Sequence, residues 1–198
     1  MNNDLNIAKI IQDLESFFET KVPDYIIEIV DSREEFNKQT NMKNSEPWTA
    51  GWANGNRIIV IHPDKLEELT DGIHKSDSHQ KRIKHELAHL FYAKLTKGEF
   101  YPAWLNEGLA YFLDGRGVIA PKSSHGKYAS LIYFKNFDGH VYQPGSFLVK
   151  TLLDKFGKAK LLELIKSIRP GLTEDSFQQL FIKIYGFAFT EDGLQLIL

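Results

Sequence analysis

The chain has 198 residues, of which 42 % are apolar and 13 % aromatic, enough to bury a sizeable core in one domain or two closely packed lobes. Its 24 lysines and arginines nearly balance 26 acidic residues, and a net charge of −2 gives no electrostatic footprint for nucleic acid. The absence of cysteine removes disulfides, thiol catalysis and thiolate metal sites together, leaving imidazole, carboxylate and phenol as the reactive groups.

The opening MNNDLNIAKI lacks the basic and apolar regions of a secretory signal, and no run approaches the roughly 18 apolar residues of a membrane span. A cytoplasmic location without membrane association is expected. Residues 5–18 repeat apolar side chains at Ile7, Ile10, Ile11, Leu14, Phe17 and Phe18, the recurrence of an amphipathic helix that packs as a lid or brace. YIIEIV (25–30) reads as a strand, and Ser32 with Glu35 has capping-box spacing for a short helix. In GWANGNRIIVIHP, Asn54-Gly55 signals a two-residue hairpin turn and Ile58 to Ile61 a buried strand.

From residue 77 onward the pattern is helical, with stops at Lys97-Gly98, Gly157, Pro170-Gly171 and Gly186. Strands followed by helices imply an α+β protein with a small N-terminal mixed sheet and a helical C-terminal subdomain. The expected organisation is one domain over 1–198, with a lobe 1–97 ending in the helix around 79–95 and a helical lobe 98–198.

That helix carries IKHELAHLFY (83–92). At 100° per residue, Ile83, Leu87, Leu90 and Phe91 share about 100° of arc, while His85 and His89 stand about 40° apart on nearly the opposite side. Two imidazoles one turn apart project side by side and suit a single tetrahedral metal ion. Glu86 points about 100° from His85, poorly placed as a ligand but within reach of a water on the metal, where a general base is needed. Composition alone would give roughly 0.02 such His-Glu-x-x-His matches by chance. A solvated helix face with two histidines is the bland alternative.

A third ligand is expected from YPAWLNEGLAYFLD, whose Pro102 suits a first helical turn. Its Glu107 lies among Trp104, Leu105, Leu109, Ala110, Tyr111, Phe112 and Leu113, and a carboxylate in so apolar a helix requires a partner. Asp114 could orient an imidazole from behind, or equally face water at the helix end. His62, His74, His79 and His125 lack ligand spacing and read as surface or capping residues, and Lys81, Arg82 and Lys84 as a solvated basic face. Gly51 and Trp52 suit either a plain edge strand or one that adds an extended peptide to the sheet.

HELAH followed by WLNEGLA resembles the gluzincin metallopeptidases, and YQPGSFLVKTLLDKFG (142–157) is similar to the helix that follows in their small, peptidase-MA-like members, so the likeness spans about residues 50 to 190. The resemblance implies a zincin-like fold, with His85, His89 and Glu107 as Zn²⁺ ligands, Glu86 as general base and Tyr142 as the phenol that stabilises the oxyanion. His140 is a rival donor. Mn²⁺, Co²⁺ or Ni²⁺ would suit the same ligands. GWANGNRIIVI contains no glutamate of the kind that holds a free substrate amine in aminopeptidases, so an endopeptidase acting on a peptide or protein is expected. The alternative is a catalytically silent, peptidase-like module that binds a partner protein. The apolar tail EDGLQLIL either closes the core as a helix or covers the cleft in a latent form.

Overall fold

The computed structural model describes residues 6–118, 134–135 and 141–197. The chain divides into two compact units, Met1–Phe91 and Tyr92–Leu198. Strands lie in the first and the longest helices follow, an α+β arrangement.

In the first unit, helix α1 (Ile7–Phe18) buries Ile10, Leu14 and Phe18, one stripe of its predicted periodicity. Phe18 stacks on Phe91 with ring centroids 5.1 Å apart, which braces α1 against a later helix. Three strands, β1 (Ile26–Val30), β2 (Gly51–Asn54) and β3 (Arg57–Ile61), form one sheet in the order β1-β3-β2. The pairing is mixed, parallel between β1 and β3 and antiparallel between β2 and β3. β3 is central, and Ile58, Ile59, Val60 and Ile61 have no exposed surface, as their continuous apolar run demands.

Helix α2 (Arg33–Thr40) makes the crossover that a parallel pair requires. Ser32 caps it by accepting a hydrogen bond from the Glu35 amide at 3.1 Å. Phe36 of α2 packs with Val30, Ala50, Ile59, Ile61 and Leu66 into a core on one sheet face, to which Trp52 is added. Alternation along the strands turns Gly51, Ile58 and Val60 to the other face.

Arg33 fixes the entry into β2. Its guanidinium donates to Ser45 Oγ at 3.0 Å, to Pro47 O at 3.1 Å and to the carbonyl oxygens of Thr49 and Leu69. The hairpin turn differs by one residue from expectation. Asn54 pairs with Arg57, so Gly55 and Asn56 form the loop, with φ +61° at Gly55. A positive φ at the first loop position alone is the type II′ arrangement, in which glycine leads and asparagine follows. A short helix α3 (Leu66–Leu69) precedes α4 (His79–Thr96), within which the division between the units falls.

The second unit contains α5 (Ala103–Asp114), α6 (Tyr142–Ser167), α7 (Glu174–Tyr185) and α8 (Glu191–Gln195). Pro102 is the residue just before α5 rather than its first helical position. Gly157 interrupts α6 with φ 80° and ψ 165°, a helix stop where the sequence places one. Trp104, Phe177, Phe181 and Phe189 form an aromatic core, with Trp104 and Phe189 stacked at 4.8 Å. The tail takes the helical alternative: Leu194 is fully buried in α8 and Ile197 follows at 6 % exposure.

Helices α5 and α6 cross at two glycines. A Cβ on Gly108 would stand 2.2 Å from the Gly145 carbonyl carbon, and one on Gly145 would stand 2.4 Å from Trp104 O. Both obstacles are main chain, which no side-chain rotation relieves. Gly108→Ala should therefore destabilise the chain by about 2–3 kcal/mol in denaturant unfolding, through forced separation of the helices. Unchanged stability would show that the crossing yields without cost.

Candidate metal centre

α4 is buried all round at its centre: every residue from His85 to Tyr92 is buried. Its apolar stripe of Ile83, Leu87, Leu90 and Phe91 lies in the core as expected. The opposite stripe is covered as well, leaving His85 at 5 %, Glu86 at 5 % and His89 at 8 % exposure. These histidines do not occupy the solvated face that the bland alternative required. Their rings stand 4.8 Å apart and nearly perpendicular, as successive turns of one helix face dictate.

Among the described residues, His85 and His89 from α4 and Glu107 from α5 form a group whose three ligand atoms all lie within 4.8 Å of one another. Ligands about 2.1 Å from a tetrahedral ion are roughly 3.4 Å apart, so side-chain rotations of about an ångström would close this group around one cation. Two imidazole nitrogens and one carboxylate oxygen suit a borderline divalent metal, leaving a coordination position for solvent. The group could hold a metal ion, and the three residues are those singled out in the sequence.

Glu86 lies against β2, its carboxylate packed on Gly51. Sequence offers Gly51 only as part of an edge strand, plain or peptide-adding, and not as a neighbour of Glu86. The available signal was a glycine within a strand pattern, which often marks a close approach of another group.

Tyr142 is the first residue of α6, half-buried, with its ring 6.0 Å from that of Tyr111. Gln143 beside it donates from Nε2 to the Tyr111 hydroxyl at 2.9 Å, so this end of α6 is tied to α5. His140, the rival donor, and His125 lie outside the described residues. Asp114 does not face water. It is 4 % exposed and accepts from Arg116, through the amide at 2.9 Å and Nε at 2.7 Å.

Of the other histidines, His62 caps a turn by accepting from the Asp64 amide at 3.2 Å, and His74 Nε2 lies 2.8 Å from Trp48 O. His79 departs from expectation, as does Arg82, because both are buried at the start of α4, at 4 % and 6 % exposure. The first turn of a helix that packs on two sides has little solvated face to offer. β2 is an edge strand among the described residues, and Trp52 turns inward onto the sheet core.

No helix among the described residues is long and apolar enough to cross a membrane. Comparison with family models, curated protein sequences and solved structures gives no match to this chain.

Burial, with the charges of Arg82 and His62 added, pushes the His79 imidazole down to about 4. Its Nδ1 is buried and has no hydrogen-bond partner among the described residues, so no hydrogen bond at that nitrogen offsets the cost of a charge. The unfolded chain, with an ordinary histidine near 6.5, binds more protons than the folded chain between those values. Stability contributed by neutral His79 is therefore complete above about pH 6.5 and lost as pH falls towards 4, by about 2 kcal/mol after solvent screening. His79→Gln should flatten that stretch of the stability–pH curve in chemical denaturation, and parallel curves would remove His79 as its source.

Proposed function

We propose that this chain is a zinc-dependent metallopeptidase of the gluzincin kind, with a zincin-like fold and an endopeptidase preference. The observation that carries the reading is the convergence of His85, His89 and Glu107 within 4.8 Å, two helices supplying a complete N₂O donor set. Glu86, adjacent in sequence to one ligand and buried with it, adds the group that peptide hydrolysis needs and that metal storage does not.

A divalent ion held by these residues would supply Lewis acidity, lowering the pKa of water towards about 7 and polarising the scissile carbonyl. Glu86 then takes the proton of the attacking water and returns it to the leaving amine as the C–N bond breaks. The Tyr142 hydroxyl donates a hydrogen bond to the developing oxyanion, a contribution of about 3 kcal/mol for a well-placed donor. Zn²⁺ is favoured over other divalent ions because two imidazoles and one carboxylate, with a position left for solvent, are a donor set typical of its catalytic sites.

β2 supports an extended peptide as substrate. Among the described residues it is an edge strand beside Glu86, and with Ile61 N bonded to Ala50 O at 3.1 Å, Ala50 and Ile61 form a hydrogen-bonded pair. The next pair, Gly51 with Val60, is then non-hydrogen-bonded, and Gly51 directs its own N–H and C=O to the open edge. A peptide added there would pair with the main chain whatever its side chains. The β2–β3 hairpin offers no carboxylate to hold a free amine, which favours cleavage within a chain over removal of its first residue.

Purified protein should hold about one divalent ion per chain and cut within peptides of a mixed library, with cutting lost on chelation and restored by Zn²⁺. Glu86→Gln should abolish turnover with metal content kept, whereas His89→Ala should lose both. Metal bound without cleavage would favour the silent binding module, and equal loss of metal in the two variants would refute the division of labour.

A further inference from the structure

Gly51 is a glycine that its backbone does not require. It lies in a strand and is absent from the residues with positive φ, so any L-residue could adopt its conformation. A strand residue with a side chain would also cost less conformational entropy. Space is what excludes one. A methyl group on Gly51 would stand 2.3 Å from Glu86 Oε1, 2.9 Å from its Cδ and 3.0 Å from its Cγ. The Glu86 carboxyl group occupies the volume that any Cβ at position 51 would fill.

We propose that Gly51 is a positioning residue for the general base: the missing side chain sets how close the Glu86 carboxylate stands to the open edge of β2. The proposal rests on the metallopeptidase reading and adds a second residue to its acid–base machinery. The contacted atoms all belong to the flexible side chain of Glu86, unlike the main-chain obstacles at Gly108 and Gly145. An added methyl would therefore displace the carboxylate and leave the strand and helix in place. That strand is anchored independently, by its pairing with β3 and by Arg33 on the segment before it. Displacement of a catalytic group by about an ångström lowers turnover on the order of 100-fold.

Gly51→Ala is expected to lower kcat about 30- to 100-fold, with KM changed by less than about threefold, metal content unchanged and the denaturation midpoint close to that of the parent. A residue that served only to stabilise the strand would move the midpoint and spare kcat. Glu86→Asp draws the carboxylate back by one methylene, so it should cost much less in the Gly51→Ala background than in the parent. Multiplicative losses in that double-mutant cycle would overturn the proposal, as would full kcat in Gly51→Ala while Glu86→Gln is inactive. If Glu86→Gln keeps parental turnover, the peptidase reading fails instead. Independently of turnover, NMR should show a nuclear Overhauser effect between the Gly51 α protons and the Glu86 γ protons. Its absence in the parent protein would remove the contact on which the proposal stands.

Discussion

A helix with both faces buried must find partners for whatever polar groups it carries, and α4 carries two imidazoles and a carboxylate within five residues. Desolvating such groups costs several kcal/mol unless hydrogen bonds, an opposite charge or a cation compensate. Its apolar stripe holds α4 in the core, so the histidines are buried with it and cannot escape to solvent. Glu107, on the largely apolar α5, is likewise a carboxylate that requires a compensating partner. The group that could hold a metal ion thus depends on the packing of one helix, and that helix is the segment most strongly patterned in the sequence.

Glycine governs the distances at two places around these helices, by different means. At the crossing of α5 and α6, Gly108 and Gly145 bring main chain against main chain one residue from Glu107, so the helix bearing that carboxylate has a fixed neighbour. At β2, Gly51 brings main chain against a side chain. The first contact is rigid and belongs to stability. The second is soft, because the atoms it meets belong to a side chain that can move.

The grouping of His85, His89 and Glu107 was legible because its geometry is local or nearly so. His85 and His89 lie one turn apart on any α-helix, and the apolar surroundings of Glu107 announce a carboxylate in need of a partner whatever the tertiary arrangement. The strands and the helix stops at Gly157 and Gly186 are legible for a similar reason, as short apolar runs and residues with positive φ. What escaped depends on how elements pack. Nothing in the sequence around His79 and Arg82 distinguishes a covered first turn from a solvated one, and Asp114 gives no sign that Arg116 folds back onto it. The contact of Gly51 with Glu86 joins residues 35 positions apart on a strand and a helix, and only the assembled unit brings them together. In NGN, asparagine flanks glycine on both sides, so the turn could begin at either of two residues until strand pairing chose one.

The mixed sheet also imposes an order of events on the nascent chain. β2 and β3 are joined by two residues and can zip within about 1–10 μs, whereas β1 joins only when Ile26 meets Arg57 and Val30 meets Ile61 after the excursion through α2. Loop closure of that length is entropically dearer than closing a hairpin, so the central strand acquires its antiparallel neighbour before its parallel one. On loop length alone, the strand that carries Gly51 is expected to pair with β3 before β1 completes the sheet.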